Sequence, residues 1–346
     1  MNRLALVFGG LVALLVVSIL LGVGIGPAPL PPDRVVAILA AQIHLWRGPV
    51  DWTRDQQIIL LQVRLPRVVA GLFVGAALAT SGTLLQGLLR NPLADPYLLG
   101  VSAGAGLGAT IATLLTATAA TVAGFSLVSI FAFVGALVTV TVVYRIATIG
   151  GSTGAATLVL AGFATSSLLG SVMTVLYTVS GQLVTRLQEL FAWLLGGISV
   201  VGWSQVGLVA PFVITGTSVA MLFARVLNAF ALGEEGAGYV GVHVERQRVL
   251  IIALCTLLTG LAVALSGLVG FVGLIVPHAM RLIVGPNHRV LLPAAALGGA
   301  SFLALADLLA RTIIAPGELP VGVVTAIIGG PFFLYLLQRN KRPQGL

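Results

Sequence analysis

The chain has 346 residues, of which 58% are apolar and 8% are charged. A soluble domain carries about 25% charged residues, so this composition excludes a soluble enzyme, a disordered chain and a coiled coil. The net charge of +8 is not gathered into a cluster that would suit nucleic acid, and it favours anchoring next to a membrane. Because the apolar runs are uninterrupted, which is not typical of β-barrel strands, we expect an all-α polytopic membrane protein that forms one domain over residues 1–346.

The N-terminal part of the chain predicts two spans separated by a polar excursion. Leu4–Ile25 exceeds the about 7–15 apolar residues of a signal peptide core, so we expect an uncleaved first span. Residues 26–63 begin with four closely spaced prolines and are expected on the outer side, with a short helix starting near Asp33. The second span runs from about Pro66 to Leu89, and the two prolines within Arg90–Pro96 then interrupt the helix.

The middle of the chain predicts three further spans. No charged residue occurs in Pro96–Tyr144, and this stretch is long enough for two spans, which we expect to separate near Thr116–Thr121. A short loop, Arg145–Gly154, precedes a fifth span that ends near Tyr177.

The C-terminal half has a polar stretch between two groups of spans. Gly181–Gly197 has mixed polarity and leads to a sixth span at about 203–224. Residues 225–248 contain six charged residues, so we expect a loop there. Four further spans are predicted at Val249–Leu265, Gly267–Ile283, Leu291–Leu309 and Val321–Leu337.

Ten spans place both termini on one side of the membrane. If that side is the cytoplasm, its loops and tails hold eleven of the 18 basic residues, which agrees with the positive-inside rule. These residues are Arg3, Arg90, Arg145, Arg225, Arg246, Arg248, Arg281, Arg289, Arg339, Lys341 and Arg342. We therefore expect cytoplasmic termini in a multi-pass protein of the bacterial cytoplasmic (inner) membrane.

Several kinds of chemistry are disfavoured. The only lysine, Lys341, lies in the tail, so the chain lacks a P-loop lysine for nucleotide hydrolysis. Its four histidines show no metal-ligand spacing, and its one cysteine, Cys255, cannot form an internal disulfide. The central parts of the spans carry no acid or histidine, which makes a proton-driven secondary transporter a remote alternative and a membrane enzyme a more remote one.

Glycines are spaced so that helices can pack closely. Gly100, Gly104 and Gly108 share one helix face, and a second set follows at Gly267, Gly270 and Gly273. Gly104-x-Gly106 loosely matches a dinucleotide fingerprint, but no strand precedes it. We therefore expect both sets to be contact surfaces between membrane helices.

Charged residues at the predicted outer ends of two spans leave alternatives open. Asp307 and Arg311 are four residues apart, so they lie on one helix face, either as a local ion pair or with Arg311 shared with a docked protein. Arg64 and Arg67 flank the start of the second span. They serve either as anchors for lipid headgroups or as groups that bind a partner's carboxylates.

Taken together, several motifs resemble one family, the FecCD-type permeases of binding-protein-dependent ABC importers. The matching segments occur in the family's order between about residues 58 and 338. They are Arg64-Leu-Pro-Arg67, Gly75-Ala-Ala-Leu-Ala-Thr-Ser-Gly82, Gln86, Arg90-Asn-Pro-Leu-Ala-Asp-Pro96, Leu99-Gly100, Gly270-Phe-Val-Gly-Leu-Ile-Val-Pro-His278, Arg281, His288-Arg-Val-Leu-Leu-Pro293, Ala306-Asp307, Arg311, Glu318-Leu-Pro-Val-Gly322 and Gly329-Gly-Pro-Phe-Phe333.

The resemblance implies a type II ABC importer permease with ten transmembrane helices in each subunit of a homodimer. The translocation path is then expected at the subunit interface. Two cytoplasmic ATP-binding subunits bind the inner face, and an extracytoplasmic substrate-binding protein delivers cargo to the outer face. No cofactor and no catalytic residue belong to this chain, because ATP and Mg²⁺ are held by the partner ATPase.

The resemblance also implies roles for individual residues. Arg64, Arg67 and Arg311 match arginines that face glutamates of the binding protein, and Asn91 and Leu93 match the cytoplasmic gate of the vitamin B12 permease. Residues 233–242 match the short helices that couple the permease to the ATPase. The expected coupling residues are Gly233, Glu234, Glu235, Gly236, Ala237 and Gly241.

The cargo is expected to be an iron chelate, either a ferric siderophore or haem. After Leu99-Gly100 the chain reads Val101-Ser-Ala-Gly-Ala105, which is closer to the ferric-siderophore and haem branches than to the Asn-Gly-Ala pattern of the B12 permease. Cobalamin remains the alternative. Gln182 and Arg186 lie where the family builds its outer gate, so they are candidate residues of the substrate path, although Arg186 is equally well explained as a helix-end charge.

Overall fold

The computed structural model describes residues 3–45, 48–49, 51–115, 121–122, 124–149 and 154–340, apart from the side chains of 182, 337, 339 and 340. The predicted break at Thr116–Thr121, except for Thr121, lies outside these residues, as do Lys341 and Arg342. The described helices are α1 (Arg3–Gly24), α2 (Pro32–Gln42), α3 (Arg54–Ile58), α4 (Leu65–Leu89), α5 (Val101–Leu115), α6 (Leu127–Ala147), α7 (Ala155–Val179), α8 (Gly181–Leu194), α9 (Ser204–Leu222), α10 (Ala224–Phe230), α11 (Glu234–Tyr239), α12 (Val244–Ser266), α13 (Val272–Val284), α14 (His288–Ala310) and α15 (Val321–Asn340).

Short elements complete this set. A π-helical turn, Ile59–Arg64, joins α3 to α4, and a 3₁₀ helix, Pro96–Leu99, precedes α5. Two short antiparallel strands, β1 (Thr121–Val122) and β2 (Phe125–Ser126), form a hairpin between α5 and α6. The end of the molecule that holds residues 225–248 is called the inner end below, and the opposite end the outer end.

Every predicted span falls on an apolar helix, but the helices differ in length. In the described part of the chain, seven helices are long and apolar enough to cross a membrane by length and composition, the second of them extending over Arg54–Leu89. The third, eighth and tenth predicted spans correspond to the shorter apolar helices α5, α13 and α15. The mostly helical, multi-pass architecture is confirmed, and a count of ten full-length spans stays a prediction.

Helix α4 is the centre of the bundle and packs against α9, α12, α13 and α14. Where α4 crosses α14, a Cβ on Gly75 would lie 2.7 Å from the carbonyl carbon of Gly299. Where α4 meets α13, a Cβ on Gly82 would lie 2.7 Å from the Cα of Gly273. Small residues at these crossings let the two backbones approach directly, which is how helices associate closely in lipid.

The predicted glycine faces are only partly contact surfaces. Gly104 and Gly108 lie against α6, because a Cβ on Gly104 would be 2.6 Å from the Cβ of Thr139. Of the second set, Gly273 packs on α4, but a Cβ on Gly270 would meet nothing within 4 Å. Gly267 is required in two ways: its φ of 62° terminates α12, and a Cβ there would meet the carbonyl group of Trp193.

The second span predicted at about Pro66 to Leu89 corresponds to α4, and α3 and the π-helical turn extend it back to Arg54, where Thr53 and Gln56 form a capping box. One predicted boundary was wrong. The helix of the eighth span begins at Val272 rather than Gly267, because Gly267 and Phe271 both have left-handed backbone conformations. The short helix predicted near Asp33 is present as α2.

Candidate functional site

Five charged residues meet at the outer end and are called the outer cluster: Arg64, Arg67, Asp307, Glu318 and Arg311. Helix α4 contributes Arg67 in its first turn, and α14 contributes Asp307 in its last turn. The Nε and Nη2 atoms of Arg67 donate to Asp307 Oδ1 at 3.1 and 3.0 Å, and its Nη1 donates to Glu318 Oε2 at 2.8 Å. Arg311 Nε lies 3.3 Å from Asp307 Oδ2, so the local ion pair that the spacing allows is present.

Arg64 and Arg311 hold the outer end of α1. A helix leaves its last carbonyl groups without helical partners, and here guanidinium groups from distant segments supply the donors. Arg311 Nη2 donates to the carbonyl of Gly22. Arg64 donates to the carbonyls of Val23 at 3.2 Å, Gly24 at 3.1 Å and Ala28.

The side chains of the outer cluster differ in how much of their surface is exposed to solvent. The side chains of Arg64 and Arg311 are only 3% and 2% exposed, and that of Asp307 is 2% exposed. Glu318 is 41% exposed and Arg67 is 15% exposed, so these two reach the outer surface. No role for Glu318 was predicted from the sequence, but it lies between Arg67 and solvent at the outer surface.

The predicted gate residues lie in a tightly turned loop after α4. Arg90 ends α4 with a left-handed backbone, and Asn91 Oδ1 then accepts a hydrogen bond from Leu93 N at 2.9 Å. Asp95 caps the following 3₁₀ helix by accepting from Tyr97 N at 2.9 Å. Side chain-to-backbone bonds of this kind fix a loop without regular structure. The loop is thus a preformed turn that places Asn91 and Leu93 at the inner end of α4.

The same loop is tied to the break between α12 and α13. The Tyr97 hydroxyl donates to the carbonyl of Val269 at 3.1 Å. One turn before the end of α4, the buried amide of Gln86 donates to the carbonyls of Gly273 and Leu274, both at 3.3 Å. The loop is therefore bonded to the segment that precedes α13, and the last turns of α4 are bonded to α13 itself.

Residues 225–248 fold into two short helices at the inner end. The left-handed backbone of Gly233, with φ of 96°, begins α11, and that of Gly241, with φ of 85°, follows it. Arg248 is buried and forms ion pairs with Glu234 at 2.6 Å and with Glu245, so it fastens α11 to the start of α12. Of the predicted coupling residues, Ala237 is buried and Gly236 is half-buried. Glu234 faces its own chain through Arg248, while Glu235 is exposed.

An apolar tip on this loop was missed from the sequence. Tyr239 is 89% exposed, and the next residue, Val240, is also exposed, as is Leu232 before the start of α11. Apolar side chains grouped on a polar, water-facing loop indicate a contact with another protein. The sequence alone does not separate these three residues from other apolar residues of the same stretch, such as Phe230, which is buried, and Val242, which is half-buried.

Near the outer end, three breaks in the helices meet. They are the segment between α8 and α9, the segment between α12 and α13, and the start of α15. Gly197 N donates to the carbonyl of Ser266 at 2.8 Å, and Gly322 N donates to that of Gly196 at 3.3 Å. Irregular backbone at membrane depth occurs where it is buried in protein or lines a water-filled space. Here these segments satisfy part of their backbone by hydrogen bonds to one another.

A cavity of about 410 Å³ with a mixed polar and apolar lining lies beside these interruptions. Its lining includes Glu189 and Trp193 of α8, Ser129 of α6 and Gln205 of α9. The charged group on this cavity is Glu189, whereas Arg186, on the same helix, is half-buried elsewhere. The side chain of Gln182 lies outside the described residues. The roles predicted for Arg186 and Gln182 in the substrate path stay predictions.

Comparisons with known proteins agree with this architecture. The model of the FecCD transport family matches residues 14–339. The cobalamin import system permease protein BtuC of Halobacterium salinarum is 47% identical over 285 residues, which are 82% of this chain and 74% of that protein. The hemin transport system permease protein HmuU of Yersinia pestis is 41% identical over 283 residues, which are 82% and 84% of the two chains.

A solved structure with a similar fold is also known. It is an inward-facing conformation of a protein described as a metal-chelate-type ABC transporter. It aligns with a TM-score of 0.80 at 31% identity, and the alignment covers 97% of this chain and 99% of the other.

Proposed function

This chain belongs to the FecCD transport family, and on that premise we propose that it moves an iron chelate, either a ferric siderophore or haem, across the cytoplasmic membrane. It is a permease subunit of an ABC importer and not an enzyme, with ATP hydrolysis in a separate partner chain. The observation that supports a permease is the position of the ion pairs. In the described residues they lie in the outer cluster and in the loop 225–248, at the two ends of an apolar bundle. Between the outer cluster and the loop 225–248, the helices supply packing and a passage rather than chemistry.

The inner loop supports a contact with the ATPase subunits. Arg248 fixes α11 on α12, so a push on the exposed tip at Tyr239 and Val240 is passed to a long membrane helix instead of being absorbed by a flexible loop. Closure of two ATPase subunits would then tilt the glycine-packed helices around α4. This is an alternating-access mechanism, in which the path opens to one side at a time.

The outer cluster supports docking of a substrate-binding protein. It holds three guanidinium groups and two carboxylates, so one positive charge is left over for a partner's acid. Pairs of this type govern register and association rate more than affinity. Because Arg64 and Arg311 are buried against α1, we propose that a partner first meets Arg67 and Glu318.

The exposed apolar faces support a homodimer with the path at its interface. Helix α7 is, with α1, the least buried of the seven long apolar helices, and its Phe163 is 72% exposed. Helix α15 exposes Ile327 and Leu334. Helix α15 begins beside the helix interruptions near Gly196, since Gly322 N donates to the carbonyl of Gly196. A second copy would cover these faces and enclose the path, and lipid would cover the remainder.

Localisation in the inner membrane with cytoplasmic termini follows from the same proposal. Its support is the distribution of basic residues, most of which lie in loops and tails assigned to the inner side. Labelling of a cysteine placed near residue 3 from either side of sealed vesicles tests the orientation. Reaction from the periplasmic side would overturn it.

Cobalamin is a second candidate cargo, favoured by the 47% identity to the cobalamin import permease against 41% for the hemin permease. The segment Val101–Ala105 favours the iron chelates instead. Binding of haem, ferric siderophores and cobalamin to the cognate binding protein distinguishes these candidates, followed by ATP-dependent uptake of the bound compound in proteoliposomes. Uptake of cobalamin alone would overturn the iron-chelate assignment and leave the permease function intact.

A further inference from the structure

A second cavity, of about 650 Å³, lies at the inner end among α4, α10, α13 and α14. Its walls are unusually rich in basic and amide groups for a bundle of this composition. The polar residues that line it are Gln86, Arg90, Asn228, His278, Arg281, Asn287 and His288. No Asp or Glu is among its described lining residues. The cavity is therefore a concentration of positive charge without a counter-charge of its own among the described residues.

The two arginines of this cavity, Arg90 and Arg281, have no acceptor for their guanidinium groups in the described part of the protein. Neither Arg90 nor Arg281 forms an ion pair or a side-chain hydrogen bond among those residues. Arg281 is nevertheless half-buried in the last turn of α13. A charge that is partly withdrawn from water without a partner is unfavourable, and a bound anion would offset that cost. The contrast with the outer cluster is clear, because each arginine there has acceptors.

A histidine on the same wall is held in position with one nitrogen unused. His288 is 6% exposed, and its Nδ1 lies 2.8 Å from Asn228 Oδ1, which also accepts from His288 N at 3.0 Å. Asn228 in turn donates to Asn287 Oδ1 at 2.9 Å. His288 Nε2 is buried and has no hydrogen-bond partner among the described residues. Gly87 leaves space beside it, since a Cβ there would lie 2.7 Å from Nε2.

We propose that this cavity is a binding site for a phosphate-type oxyanion, supplied either by the headgroup of an anionic phospholipid or by free phosphate. Two guanidinium groups suit the paired oxygens of a phosphate. Basic pockets between membrane helices on the cytoplasmic side are a known setting for such headgroups. Leu282 and Ile283, both exposed and adjacent to Arg281, offer an apolar surface next to the site for acyl chains.

The site lies between segments that are expected to move against one another during transport. Its walls come from α10, which belongs to the loop 225–248, and from Arg90 and Pro92, which flank the predicted gate residue Asn91. An anion held by Arg90 and Arg281 at once would join α4 to α13 at their inner ends. Occupancy would therefore favour the arrangement of the bundle in which these two helices stay together.

The test uses the full-length chain with its ATPase subunits bound, in a neutral detergent and in nanodiscs. Inorganic phosphate is titrated calorimetrically in detergent, and lipid retention is measured by native mass spectrometry from nanodiscs of phosphatidylcholine with and without phosphatidylglycerol. Arg281→Gln and Arg90→Gln each remove one guanidinium from the cavity. Arg289→Gln is the matched control, because Arg289 is exposed at the start of α14 and does not line the cavity.

We expect the unaltered protein to bind in one of the two arms, which identifies the source of the anion. Arg281→Gln and Arg90→Gln should each weaken that binding at least about tenfold, as expected for loss of a charged hydrogen bond, and Arg289→Gln should leave it within about twofold. Absence of binding in both arms would overturn the proposal. Equal weakening by all three variants would do so as well, since it would indicate general surface attraction, and so would unchanged binding in both cavity variants.

Discussion

The buried carboxylate of Asp307 is the residue on which the outer cluster depends most. It accepts two hydrogen bonds from Arg67 and pairs with Arg311, and it is 2% exposed. Asp307→Asn removes its charge and keeps its shape, leaving two guanidinium groups close together with Glu318 as the remaining acid. Removing one partner of a buried ion pair costs about 3–5 kcal/mol. We expect about 3 kcal/mol, because the amide oxygen of Asn still accepts one hydrogen bond.

Glu318→Gln is the matched control for that substitution. It is the same acid-to-amide change at the other acceptor of Arg67, but at a side chain that is 41% exposed. Exposed ion pairs contribute about 0.2–1 kcal/mol. At about 2–4 °C per kcal/mol, Asp307→Asn should lower the midpoint of thermal unfolding in detergent by roughly 6 °C or more. Glu318→Gln should lower it by at most about 2–4 °C.

A double substitution tests the reason for the loss. If Asp307→Asn destabilises by leaving Arg311 buried without a counter-charge, then adding Arg311→Leu should recover more than half of the loss. Equal losses for Asp307→Asn and Glu318→Gln would refute the reasoning from burial. So would recovery of less than half of the loss, or any further destabilisation, when Arg311→Leu is added to Asp307→Asn.

Three further predictions concern packing and the inner loop. Gly82→Ala should destabilise by about 1–3 kcal/mol, because its Cβ meets the α13 backbone, while Gly10→Ala, where nothing lies within 4 Å, should be neutral in the same unfolding assay. Arg248→Gln should allow the ATPase subunits to hydrolyse ATP without transport, and Arg246→Gln, at an exposed position, should keep the two coupled; equal coupling in both variants would argue against Arg248 as the fastening residue. Tyr239→Asp should weaken association of the ATPase subunits on an affinity column at least about tenfold if the tip is a contact of about 2 kcal/mol, and unchanged association would remove the tip from the interface.

The part of the fold that the sequence predicted well is the part governed by local properties. Apolar runs separated by polar segments located the helices, because solvation by lipid is decided over about 20 consecutive residues. The spacing of Asp307 and Arg311 indicated a local ion pair as one of two alternatives, since residues four apart share a helix face, and that ion pair is present. The polar loop 225–248 was likewise evident from its charges.

What the sequence did not predict depends on contacts between distant segments. Arg67 meets Asp307 240 positions away, and Arg64 caps α1 about 40 positions before it. No local pattern indicates either contact. The start of α13 was misplaced because Phe271 has a φ of 68°, a conformation uncommon for a residue other than glycine. The inner cavity was not foreseen either, because Arg90, Arg281 and His288 come together only when three helices pack.

Uptake by the reconstituted importer tests the central claim most directly. The chain and its ATPase subunits are placed in proteoliposomes with the loaded binding protein outside, and uptake of the cargo is measured with internal ATP and with the pH gradient abolished by an ionophore. The account predicts uptake that requires ATP and is unaffected by the ionophore. Uptake that follows a pH gradient in the absence of ATP would contradict it.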